Sequence, residues 1–285
     1  MRKIPITLTL AALTTAAVVI PAGPAAAAVP GLVRISEVSA SNSDDVRSVT
    51  ATCPVDTVAL SGGYEINGAT GEVTVTYLRP NTTSVSAIAY EEDAFASNWT
   101  LTTYAVCATE PAGLLHITAS GSSNSNDFKS VPATCSAGDG LIGLGFSVGA
   151  TGEAVVDDFR PNGGTSTAPT SVTVGAYEAE AYAGNWAVTT YGVCANTLPG
   201  LVRASASSTS SSTDYQSATA SCPAGTVLVG SGFEVNGATG EVVVDDFRPN
   251  GGASTAPTSV TVGAYEAEAY ASNWWVTAYA NCATA

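Results

Sequence analysis

The sequence predicts an all-β protein of three tandem antiparallel sandwich-like modules, each closed by one disulfide. A pattern running from Cys222 to Cys282 recurs from Cys135 to Cys194 and from Cys53 to Cys107. Each copy breaks into short runs of alternating character separated by Gly, Pro and Asn, as antiparallel strands and tight turns require. No window carries the 3.6-residue apolar period of a helix.

The element boundaries follow from the same punctuation. Arg2 and Lys3, an uncharged stretch from Ile4 to Ile20 and the small residues Ala25 to Ala28 read as a secretory signal over 1–28. Pro30-Gly31, Pro111-Ala-Gly113 and Pro199-Gly200 then open three modules, 29–110, 111–197 and 198–285. Residues 151–195 and 239–283 align without a gap and differ at seven positions, so these two modules are recent copies and the first has diverged.

In the third module six strands are expected, at 202–207, 218–222, 226–235, 241–248, 259–265 and 274–283. Period two places Trp274, Val276, Ala278, Ala280 and Cys282 on one face of the last strand. A large ring at one end and the bridge at the other suit a tapered core, so Trp99, Trp186 and Trp274 are read as packing residues. The modules either follow one another as beads or close around a pseudo-threefold axis, as in a β-prism.

Lys and Arg number 9 against 24 Asp and Glu, for a net charge of −15, or −17 once Arg2 and Lys3 leave with the signal. So few cations argue against nucleic acid or anionic lipid as a partner. No stretch after the signal approaches the ~20 apolar residues of a spanning helix, so no membrane insertion is expected. All 6 cysteines lie in the repeats. An even count in an exported chain reads as disulfides, and the repeat selects Cys53–Cys107, Cys135–Cys194 and Cys222–Cys282. Each closure contributes on the order of 4 kcal/mol, a large share for so small a module.

Ala-Thr-Cys-Pro or Ala-Ser-Cys-Pro, then a Gly-rich strand such as Leu60-Ser-Gly-Gly63 or Val229-Gly-Ser-Gly232, then the closing Tyr104-Ala-Val-Cys-Ala108, recur along the chain. In these motifs the protein resembles a group of secreted actinobacterial repeat proteins with a Cys-Pro-x-Gly-Thr, Gly-Gly strand and Ala-Val-Cys-Ala module. The second module departs, with Ser136 in place of the proline. The resemblance implies an extracellular compartment and the disulfide, and it carries over no active site.

Candidate chemistry is sparse, and the chain is expected not to be an enzyme. The one histidine, His116, aligns with Arg34 and Arg203 and reads as a solvated strand residue, which leaves no Ser-His-Asp arrangement. Gly143-Leu-Gly145 and Gly230-Ser-Gly232 sit in expected strands, where glycine permits close backbone approach. Asp157-Asp158 with Glu178 and Glu180, and Asp245-Asp246 with Glu266 and Glu268, place up to four carboxylates near one strand edge in each of two modules. That set suits Ca²⁺, or simply forms a solvated acidic edge that discourages aggregation. Trp275, beside Tyr279 on the outward phase of the last strand, either stacks on a ligand such as a sugar ring or fills a module interface. Arg79-Pro-Asn81, Arg160-Pro-Asn162 and Arg248-Pro-Asn250 are read as a strand-end salt bridge followed by a turn.

The functional expectation is a secreted binding protein for extracellular or cell-surface polysaccharide, its copies adding avidity. The alternatives are a structural or adhesive protein acting through protein-protein contacts, among its own modules or with a cell-surface protein, and a glycoside-active enzyme.

Overall fold

The structure, a computed structural model, describes residues 29–92, 94–164 and 166–285. The expected signal and Asp93 lie outside the described residues. The first module contributes β1 (Val33–Val38), β2 (Val46–Thr52), β3 (Val58–Asn67), β4 (Val73–Pro80), β5 (Ser84–Glu91) and β6 (Thr100–Ala108). The second contributes β7 (Leu115–Ser120), β8 (Phe128–Thr134), β9 (Asp139–Val148), β10 (Ala154–Asn162), β11 (Ser171–Glu178) and β12 (Val188–Asn196). The third contributes β13 (Val202–Ser207), β14 (Tyr215–Ser221), β15 (Thr226–Asn236), β16 (Val242–Asn250), β17 (Ser259–Glu266) and β18 (Trp275–Thr284).

These strands form three six-stranded antiparallel sheets, and no sheet belongs to one module. The order β1-β6-β3-β16-β17-β14 joins the first module to the third, β13-β18-β15-β10-β11-β8 the third to the second, and β2-β5-β4-β9-β12-β7 the first to the second. Each module is thus a sandwich of two three-stranded half-sheets, and each half-sheet continues into a neighbour. The ring closes on itself, so the arrangement is pseudo-threefold and the modules are not beads. Closure gives partners to the inner edges of β3, β9 and β15, which separate modules would leave open to aggregation.

Within a module the disulfide ties the two half-sheets together. Cys53, Cys135 and Cys222 each follow the second strand and reach Cys107, Cys194 and Cys282 on the sixth, with Cα separations of 5.7, 5.8 and 5.6 Å. The face Trp274, Val276, Ala278, Ala280 and Cys282 is fully buried, as period two predicts. The opposite face is not simply solvated: Tyr279, Asn281 and Ala283 are buried too, because β18 runs into the region where the modules meet.

The seams are short. β4 meets β9 only at Tyr77↔Ser147 and Leu78↔Phe146, β10 meets β15 at Asp158↔Glu234 and Phe159↔Phe233, and β16 meets β3 at Asp246↔Glu65 and Phe247↔Tyr64. Two repeated motifs meet there. A Cβ on Gly145 would lie 2.6 Å from the Leu78 carbonyl and 2.8 Å from Cδ of Pro80, and Gly63 and Gly232 face Pro249 and Pro161 in the same way. The prolines, read as turn residues, lie inside β4, β10 and β16. They are tolerated because the seam ladder has already ended and needs no further N–H.

Along the axis three layers are stacked. At one end Leu60, Ile142 and Val229 are fully buried under Val29, Leu32, Leu198 and Leu201 from the module openings. Here backbones nearly touch, since a Cβ on Gly143 would fall 1.8 Å from the Leu60 carbonyl. In the middle Tyr64, Phe146, Phe159, Phe233 and Phe247 pack edge to face or tilted, with centroids 5.1 to 5.7 Å apart. At the other end three turns converge.

Candidate functional site

Those turns, 68–72, 149–153 and 237–241, link the third and fourth strand of each module. Gly71, Gly152 and Gly240 take φ of 80, 81 and 81°. Each sits against the next module: a Cβ there would approach the carbonyls of Glu266, Glu91 and Glu178 to 2.9, 2.9 and 2.7 Å. Only glycine combines that backbone conformation with so close an approach. The residue after each glycine, Glu72, Glu153 or Glu241, is thereby delivered to the mouth of the axis.

A second segment of each module lies beside its turn. Glu92 N–H donates to the Glu72 carbonyl, Ala179 N–H to Glu153 and Ala267 N–H to Glu241, each at 3.0 Å. Glu72, Glu92, Glu153, Glu180, Glu241 and Glu268 together line a vestibule of about 260 Å³, with no Lys or Arg among the described residues of its wall. All three modules contribute to it.

Just inside, Asp157 and Asp245 occupy β-bulges, where the register shifts between Val156 and Asp158 and between Val244 and Asp246. A bulged residue leaves the ladder and is re-aimed. Here the side chain turns toward the next module, and the carboxyls are 2 and 1 % exposed. Oδ2 of Asp157 accepts from Gly240 N–H at 3.3 Å and Oδ2 of Asp245 from Gly71 N–H at 3.1 Å. Oδ1 of each has no hydrogen-bond partner. Burial pushes both carboxyls well above the ordinary carboxylate range, the glycine N–H opposes the shift, and Asp158 and Asp246 add to it.

The four carboxylates expected to gather in a module therefore go to different places. Asp158 and Asp246 are half-buried and face the seam beside Arg160 with Glu234 and Arg248 with Glu65; burial raises both, and the arginines lower them. Glu178 and Glu266 are committed to the core. Oε1 of each accepts from Trp186 or Trp274 Nε1 at 2.8 Å, and Oε2 accepts from the backbone of Tyr182 or Tyr270. Glu91 holds Trp99 in the same way. Glu180 and Glu268 alone reach the vestibule. Among the described residues no group of three or more His, Cys, Asp or Glu is placed to hold a metal ion.

The repeated arginines do form salt bridges, but across seams. Arg160 reaches Glu234 and Arg248 reaches Glu65, each at 2.9 Å. Arg79 instead stacks over Tyr191 of the second module, with 4.5 Å to the centroid. His116 is exposed on β7, and burial of part of its ring and nearby Arg79 lower its pKa, while a hydrogen bond to Pro80 opposes them.

The outward aromatic pair is not a pair in space. Trp275 is half-buried, opposite Asn236. Tyr279 is only 7 % exposed, lies under Arg203 and donates its hydroxyl to Glu234. It is a seam residue, and β18 does not present both rings to solvent. Exposed aromatic pairs occur elsewhere, unforeseen from the sequence. Phe128 stacks on Tyr177 with centroids 4.4 Å apart, and Tyr215 lies tilted against Tyr265 with 4.5 Å. Phe128 and Tyr215 are each 40 % exposed, and Val46, opposite Tyr90, marks the same place in the first module. Each pair immediately precedes the segment that lines the vestibule, so aromatic surface and acidic mouth share one end of the molecule. A legible signal existed: Gly-Glu at 71–72, 152–153 and 240–241 is identical in all three copies. In comparisons with known proteins the chain matches no family model and no curated protein.

Proposed function

We propose that the chain is a secreted, non-catalytic protein that binds extracellular or cell-surface polysaccharide through its exposed aromatic pairs. The observation that carries this reading is the repetition of Phe128–Tyr177 as Tyr215–Tyr265 at equivalent places on one end of a closed ring. Exposed ring faces suit the apolar faces of sugar units, and two copies at fixed spacing raise avidity. Beside Phe128 a shallow depression of about 150 Å³ is lined by Asn124, Asn126 and Ser130, polar partners suited to sugar hydroxyls. The three disulfides fit an oxidising compartment. The leader-like residues 1–28 and the resemblance to secreted actinobacterial repeat proteins support export.

An adhesive role through a cell-surface protein is favoured instead by Val46, which keeps the patch apolar with one ring, Tyr90, in place of a pair. A glycan array with the full chain and with the Phe128→Ala, Tyr215→Ala double variant separates the two. Specific retention lost in the variant supports polysaccharide binding. A blank array, with self-association in sedimentation that the variant abolishes, supports adhesion.

A further inference from the structure

The ring is threefold in its strands but not in how its outer edges are covered. β1, β7 and β13 are terminal strands of their sheets, and a terminal strand leaves every second backbone N–H and C=O without a ladder partner. Two of the three are covered by a neighbouring module. Arg34 N–H donates to the Thr255 carbonyl and the Arg34 carbonyl accepts from Ser254 N–H, both at 2.9 Å; Arg203 exchanges the same bonds with Thr167 and Ser166 at 3.1 and 3.0 Å. Ala256 and Ala168 follow, and pack on the apolar layer that contains Leu32 and Leu201.

The third edge has no such cover. The covering segments are the connections 251–258 and 163–170, whereas β4 and β5 are joined by 81–83 alone. Pro80 still bonds to the side chain of His116 on β7, as Pro249 and Pro161 accept from Arg34 and Arg203. The seam is therefore the equivalent one, with its loop cut away. Among the described residues no backbone group outside β12 bonds to the His116 backbone. Leu114, the counterpart of the buried Leu32 and Leu201, is only half-buried, and Leu115 beside it is 46 % exposed. An acid is missing too. Ser147 stands where the other seams hold Glu65 and Glu234, and Arg79 makes no salt bridge among the described residues. The basic side chains of Arg79 and His116 thus meet at an open strand edge of a chain whose net charge is −15.

We propose that β7 takes an extended segment of another polypeptide by main-chain pairing at His116, a segment of Ser/Thr/Ala/Pro type with an aspartate where the chain's own covers place Ser254 and Ser166. Main-chain bonds along such an edge supply affinity, and side chains supply specificity. The two covers are the template for the occupant. Both serines take a positive φ, 59 and 64°, which Asp and Asn adopt more readily than most other residues. An aspartate there would lie opposite His116, near Arg79, and bring the carboxylate that this seam lacks. The small residue two positions on would cover Leu114.

Amide chemical shifts of the full chain test this, in titrations with an acetylated peptide of the sequence 251–258 and with the same peptide carrying aspartate for its serine. Saturable shifts at His116 and Thr118 are expected, with the aspartyl peptide binding roughly threefold more tightly. Two variants are expected to weaken it at least about tenfold. In one, residues 82–83 are replaced by a copy of 251–258, so that the edge is covered from within; the other is His116→Pro, which removes the outward N–H from a terminal strand, where proline is tolerated. A melting curve confirms that each folds. Unmoved β7 amides, or undiminished binding to the loop-bearing variant, would overturn the docking, and equal affinity of the two peptides would overturn the acidic occupant. Self-association of the chain that the added loop abolishes would put a second copy in place of the foreign segment. A uronic acid oligomer that moves the same amides at lower concentration than either peptide would assign the seam to an acidic sugar instead. Both variants leave the aromatic pairs intact, so glycan retention and peptide binding fail independently.

Discussion

The backbone N–H of Gly71 donates to Oδ2 of Asp245 at 3.1 Å, joining residues 174 positions apart and two different modules. Gly240 and Asp157 make the same link between the third module and the second. In the first module Thr76 occupies the corresponding bulge and is buried, so no acid stands at the third of these places.

These buried carboxyls make stability depend on pH. Their folded pKa lies above the unfolded value of about 3.9, so the native state holds protons that the unfolded chain releases. Stability from this source is complete below that value and is lost as pH rises through the folded pKa. The Asp157→Asn, Asp245→Asn variant is expected to melt higher than the parent at pH 8 and to show a flatter dependence between pH 4 and 8. Parallel curves for the two proteins would remove the claim.

Trp274 and Glu266 test the core linkage. Removing the carboxylate with Glu266→Ala leaves the buried indole N–H and the Tyr270 N–H without their acceptor, at a cost of about 1–3 kcal/mol. Glu266→Gln keeps an acceptor oxygen and is expected to cost less. Urea denaturation of both variants measures the difference, and equal costs would show that the acceptor geometry is unimportant.

The axial glycines are expected to be far less tolerant than the surface ones. Gly143→Ala drives a methyl into the Leu60 carbonyl, whereas a Cβ on Gly138 meets nothing within 4 Å and pays only for its φ of 94°. The first substitution is expected to cost at least about 3 kcal/mol, at the upper end for overpacking, and the second roughly 1–2 kcal/mol. A Gly143→Ala protein as stable as Gly138→Ala would show that the strands can part at the axis.

A module on its own is expected to fail. Residues 111–197 keep Cys135–Cys194 but expose the inner edges of β9 and β10 and the rings of Phe146 and Phe159. Oligomerisation in sedimentation, or slow loss of amide protection, is the expected result. A cooperative monomer would show that the seams add little.

Much of the fold was legible. The six-strand module, its disulfide and the buried tryptophan face all follow from period two and the spacing of Cys and Gly. The carboxylates are not legible for a physical reason: adjacent acids read as sharing one strand edge, and a bulge at Asp157 and Asp245 sends neighbours in opposite directions. The tryptophan partners Glu178 and Glu266 looked like surface charges because a side-chain hydrogen bond eight residues away leaves no periodic trace. Tyr279 looked exposed because alternation reports one sheet's two faces and knows nothing of a neighbouring module.

The sequence by itself determined the repeat, the strand pattern and the covalent pairing, since these depend on local periodicity and on the identity of rare residues. Only the tertiary structure decided that each half-sheet completes its neighbour's and that three Gly-Glu turns share one mouth. Strand edges present the same N–H and C=O groups whatever their side chains, so their partners are chosen by closure of the whole ring. The vestibule is a consequence of that closure and has no counterpart within a single module.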